Sequence, residues 1–107
     1  MEFLVHIEID RPTDAAAGNK ETIFEQELAN GQELARIGSL RRSWRIPGRC
    51  ANWSLYEVAD ATELHEALSS LPLYPWMSID VHPLAEHPND PVTVGITAEN
   101  RTTTTDR

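Results

Sequence analysis

The sequence has a single cysteine, Cys50, which excludes an intramolecular disulfide and offers no thiolate pair to a metal. That usage fits a reducing cytoplasm. Positive charge is scarce: nine Lys and Arg stand against seventeen Asp and Glu, for a net charge of -8. This balance argues against nucleic acid or an anionic membrane as the main partner. Apolar runs are short as well. None is long enough to span a bilayer, and no signal-peptide pattern opens the chain. His6, His65, His82 and His87 have no ligand spacing, so no metal is expected. A chain of 107 residues allows one domain with a real core and little room for a second.

The cations that are present are concentrated. Arg36, Arg41, Arg42, Arg45 and Arg49, five of the nine, fall within fourteen residues, a distribution suited to a small anionic ligand rather than a polyanion. Pro47-Gly48 lies between two runs rich in β-branched and aromatic residues. It reads as a type II turn, with Pro pre-setting φ and Gly supplying φ > 0, and therefore as a hairpin. Along the first arm, strict alternation places Leu40, Arg42, Trp44 and Ile46 on one face and Arg41, Ser43 and Arg45 on the other.

The remaining elements follow from periodicity. Phe3, Val5, Ile7 and Ile9 alternate with Leu4, His6, Glu8 and Asp10, as in a strand with one apolar face, and Arg11-Pro12-Thr13-Asp14 ends it. A helix is expected from about Asn19 to Ile37, stopped by Gly38. On a helical wheel Ile23, Phe24, Leu28, Leu34, Ala35 and Ile37 form one arc, with Glu27 and Gly31 near its middle and Glu25 and Glu33 opposite. The second hairpin arm runs from about Ala51 to Val58. Asp60 and Glu63 form a capping box that opens a second helix with the stripe Leu64, Ala67, Leu68 and Leu71. Pro72 and Pro75 end it, and Met77, Ile79 and Val81 alternate as a last strand. The order is that of an α+β, ferredoxin-like βαββαβ unit: an antiparallel sheet with two helices on one face, residues 1–90. Such a sheet leaves its other face open, and two copies commonly close over it, so a homo-oligomer is expected. Residues 91–107, with four consecutive threonines, read as a polar tail or an arm embracing a neighbour.

Glu27 stands out as a carboxylate directed at a core, where burial favours the neutral acid and moves its titration toward the range a general base needs. Its alternative reading is a structural ion pair with an arginine at an interface. Arg41 and Arg45 offer forks for a carboxylate, or equally for inter-subunit ion pairs. Asn52 and Ser54 are hydrogen-bonding candidates. Trp44 is a candidate to contact substrate, although it and Trp53, Tyr56, Tyr74 and Trp76 equally suit core and interface.

Trp44-Arg45-Ile46, Gly48, Ala51-Asn52 and Ser54, followed by Leu64-His65, Leu68, Leu71-Pro72-Leu73, Pro75, Met77, Ile79, Val81, Leu84 and His87-Pro88, strongly resemble the muconolactone delta-isomerases of aromatic (catechol, β-ketoadipate) catabolism. The resemblance runs without gaps from the first strand to about His87. It implies a dimeric α+β barrel, a ring-like homo-oligomer that is typically a decamer, a small anionic lactone as substrate, no cofactor, and a helix glutamate as the acid-base residue, which here is Glu27. In the implied reaction one carboxylate moves a proton from one end of an allylic system to the other through a dienolate. The chain departs from the family pattern at Leu40 and Cys50, where large aromatics are usual, and at Leu28, where a lysine is frequent. These differences leave open a methyl- or chloro-substituted lactone, including dehalogenation. A cofactor-free monooxygenase and a non-catalytic binding module on the same barrel are the readings from other classes.

Overall fold

A computed structural model describes residues 1–10, 20–92, 94 and 95. The expectations for residues 11–14 and for most of the tail lie outside these residues. The elements are β1 (Glu2–Ile9), α1 (Lys20–Arg36), β2 (Leu40–Arg45), β3 (Ala51–Glu57), α2 (Ala61–Ser69), a short 3-10 turn (Tyr74–Trp76) and β4 (Met77–Leu84). All pairings are antiparallel and the strand order is β2-β3-β1-β4. This is the ferredoxin-like arrangement expected from the alternation of elements.

β1 is central because its odd positions carry the apolar face. Phe3, Val5 and Ile7 are buried and meet Leu34 of α1, Leu64 and Leu68 of α2, and Tyr56, Val58 and Leu71 in one cluster. Burying side chains of this size stabilises by about 1.5–3 kcal/mol each. Two glycines shape the ends of elements. Gly38, at φ 89°, follows α1 and its amide bonds back to the carbonyl of Ala35, closing the helix in a conformation that side chains disfavour. Gly48, at φ 80°, sits in the turn closed by the Arg49 amide on the Ile46 carbonyl. The Asp60 side chain accepts from the Glu63 amide at 2.9 Å, the first half of the expected capping box, whereas the Glu63 carboxylate accepts from the amide of Ala59, one residue before the cap, rather than from that of Asp60.

Two expectations are corrected. α1 turns residues 23, 24, 27, 30, 31 and 34 inward, so Leu28 and Ile37 are 64% and 55% exposed and Ala35 is exposed too. The inward stripe is narrower than the predicted arc because only one side of α1 meets the sheet. In β2 strict alternation fails: Leu40 pairs with Tyr56, but Arg42 pairs with Leu55. The extra residue, Arg41, is a bulge that shifts Leu40 to the helix-covered face and leaves Arg42 and Trp44 on the open one. Ser43 and Arg45 remain together, opposite Ser54 and Asn52.

Candidate active site

The helix-covered face of β3 presents a row of polar groups, Tyr56, Ser54 and Asn52, in register with Phe3, Val5 and Ile7. Successive members are about 7 Å apart. Ser54 is buried, and its hydroxyl lies 3.0 Å from that of Ser43 and donates to Asn52 Oδ1 at 3.3 Å. The Ser-Asn pair is thereby fixed by bonds across the hairpin. At the Asn52 end, Ile9, Ser43, Arg45, Arg49, Cys50 and Asn52 line a cleft of about 440 Å³.

The five clustered arginines do different things. Arg36 forks onto Glu33 through two hydrogen bonds, at 2.9 and 2.6 Å. Arg49 bonds the carboxylate of Glu8. Arg42 lies over the Trp44 ring, 4.9 Å from its centroid. Among the described residues, Arg41, Arg42 and Arg45 make no ion pair, and of these three only Arg45 lines the cleft. A guanidinium that borders a polar cleft without an internal carboxylate is available to an external one.

Glu27 is half-buried on the inward stripe of α1. Its Oε1 accepts a hydrogen bond from the backbone amide of Leu73 at 3.0 Å, in the segment that links α2 to the 3-10 turn. Among the described residues no arginine or lysine forms an ion pair with it. Burial pushes the carboxyl above its ordinary range, and the Leu73 hydrogen bond opposes this in part. The glutamate charge also reaches Tyr56, whose phenol is pushed up to about 12, first by burial and then by Glu27. Glu27 therefore stands beside the Tyr56 end of the polar row, with Arg45 and the cleft toward the other end.

Of the residues singled out in the sequence, Glu27, Ser54, Asn52 and Arg45 belong to the same side of the sheet. Arg41 is the bulge residue and is exposed. Trp44 lies on the open face with Trp53 as its partner, away from this group. Sequence reasoning treated Tyr56 only as a core or interface aromatic. Its pairing with Phe3, predictable from an antiparallel register, is the signal that places its ring under α1. Among the described residues no three His, Cys, Asp or Glu side chains gather as a metal site, and no helix is long and apolar enough to cross a membrane.

A sequence model of the muconolactone delta-isomerase family matches residues 1–90. The muconolactone delta-isomerase of Acinetobacter baylyi is 44% identical over 85 residues, 79% of this chain and 84% of that protein. That of Cupriavidus pinatubonensis is 39% identical over 89 residues, 83% of this chain and 97% of that protein. A crystal structure of muconolactone isomerase superposes with a TM-score of 0.77 at 36% identity, covering 84% of this chain and 94% of that one. A 5-chloro-2-hydroxyhydroquinone dehydrochlorinase from Burkholderia phenoliruptrix, 12% identical with a TM-score of 0.61 over 84% of this chain and 99% of that one, shares the fold.

Proposed function

The chain belongs to the muconolactone delta-isomerase family, and on that premise we propose that it isomerises muconolactone to 3-oxoadipate enol-lactone with Glu27 as the acid-base group. The substrate is an unsaturated lactone with a carboxymethyl arm. Removing the proton from the ring carbon that bears the arm sends the C–H electron pair into the ring and charge onto the lactone carbonyl oxygen. Returning the proton to the carbon beside the carbonyl moves the double bond by one position and restores the carboxylate. One base on one face of the ring can do both, and the step balances without a further reactant.

The observation that carries this reading is the half-buried carboxyl of Glu27, raised by burial and bonded among the described residues only to a backbone amide, on the same side of the sheet as Arg45, which borders a polar cleft and pairs with no described carboxylate. In this reading Arg45 holds the carboxylate of the arm, with Arg41 as the alternative cation. Asn52, fixed by Ser54, contributes hydrogen bonds to the lactone. Trp44 acts at a subunit interface. Assembly of the open sheet faces into dimers, and of dimers into a ring, belongs to the same proposal, as does a cytoplasmic location.

A spectrophotometric assay with muconolactone and its methyl and chloro derivatives, run beside oxygen uptake with phenols, tests the reading. Turnover of muconolactone without oxygen consumption is expected. Halide release as the preferred activity, or oxygen uptake, would replace it with dehalogenation or monooxygenation.

A further inference from the structure

The reaction places negative charge on the lactone carbonyl oxygen, and a hydrogen-bond donor is needed there at the moment Glu27 holds the proton. Ser54 is engaged by Ser43 and Asn52, and Asn52 belongs to the Arg45 end of the row. We propose that the Tyr56 hydroxyl is this donor, a catalytic group placed across from Glu27 to hold the oxygen of the dienolate. The inference rests on the isomerase reading above.

Four observations converge on the phenol. Its ring is fixed: Tyr56 is only 3% exposed, is paired with Phe3 and Leu40 on its two sides, and belongs to the main core cluster. Its hydroxyl is free: it bonds to no described residue, although no sealed side-chain nitrogen or oxygen among the described residues lacks a partner. The oxygen must therefore reach open space, since a buried hydroxyl without a partner would be costly. Glu27 is close enough for its charge to act on the phenol, yet the two share no hydrogen bond, and among the described residues the carboxylate uses only Oε1, on Leu73. Finally, Gly31 follows Glu27 by about one helical turn on the same inward stripe, and a Cβ built there would meet no atom within 4 Å. Room thus remains beside the carboxylate, on the face of α1 turned to the sheet.

The chemistry fits this placement. A base on α1 and a donor on β3 face the ring from two elements, so the carbon that loses the proton and the oxygen that gains charge are served by different groups. The phenol keeps its proton, because burial first, and the Glu27 carboxylate while it is charged, push its titration up to about 12. It donates a hydrogen bond to the oxygen and transfers nothing. The proton travels only from carbon to Glu27 and back to carbon.

Tyr56→Phe removes the oxygen and leaves the ring in the core. In the 107-residue protein, kcat with muconolactone should fall roughly a hundredfold to a thousandfold, the scale of one lost oxyanion donor, with KM within about twofold. Two non-reacting probes separate transition-state from ground-state contacts: a tetronate with the same acetate arm carries a fixed anionic oxygen, and the saturated lactone acid does not. Tetronate affinity should fall by a factor like that in kcat while affinity for the saturated acid holds. The melting temperature should be unchanged or higher, since no internal bond is lost. Parental kcat in the variant, or equal weakening of both probes, would overturn the assignment while leaving the isomerase reading intact. Failure of the parent protein to turn over muconolactone would remove both.

Discussion

At the scale of single residues, Glu27 joins a stability effect to a chemical one. Its carboxyl keeps its proton to higher pH in the fold than in the unfolded chain, because burial outweighs the Leu73 hydrogen bond. Its contribution to stability is therefore greatest below the unfolded value of 4.5 and is lost as pH rises through the folded one. Glu27→Gln retains an acceptor for the Leu73 amide and carries no charge. Its melting temperature should equal or exceed the parent's at neutral pH, and the difference should vanish on acidification. A variant less stable at pH 7 than the parent would show that the charge is a structural partner. Arg45 invites a kinetic test. Arg45→Met keeps most of the stem and removes the fork, so kcat/KM should fall by about tenfold to a hundredfold, the range of one charge-assisted bond, mainly through KM. Parental kinetics would move the substrate carboxylate to another cation, Arg41 first. Glu27 was legible in the sequence as the one acid inside an apolar arc. Its partner was not, because Leu73 lies 46 positions away and donates through its backbone, which no side-chain pattern reports.

Elements were read more completely than faces. The stops at Gly38 and Gly48 and the Asp60–Glu63 cap are local backbone requirements, and local sequence states them. The bulge at Arg41 leaves no such mark, because period-2 alternation describes an unbroken ladder and the extra residue is fixed by pairing with β3. Similarly, the wheel of α1 marked an arc without showing which half meets the sheet, so Leu28 and Ile37 were placed inside. Gly31 lies on the inward stripe of α1, where glycine costs about 0.5–1 kcal/mol relative to alanine. Since a Cβ there meets nothing within 4 Å, Gly31→Ala should raise the melting temperature by a few degrees. A lower melting temperature in thermal unfolding would mean that the space beside Glu27 is filled.

For the whole molecule, the open face of the sheet is the feature a single chain leaves unresolved. Leu4, His6, Leu55, Trp53, Trp44 and His82 share this face by register. His6 packs edge-on against Trp53 at 4.8 Å, and Trp53 reaches His82 at 5.8 Å. Trp44 is 42% exposed. A face of this kind is covered in most stable assemblies. The purified protein is expected to sediment as a homo-oligomer at micromolar concentration, and Trp44→Glu should shift it toward smaller species by placing a charge in the contact. A monomeric parent would contradict the barrel assembly.

The central claim is that one carboxylate on α1 moves the proton, and turnover of muconolactone by purified Glu27→Gln tests it most directly. The amide keeps the size and the Leu73 bond but cannot take the proton. Turnover should fall by roughly a hundredfold to ten-thousandfold, the contribution of a positioned acid-base group, while the saturated lactone acid still binds and the fold melts no lower than the parent. Near-parental turnover in that variant would contradict the account.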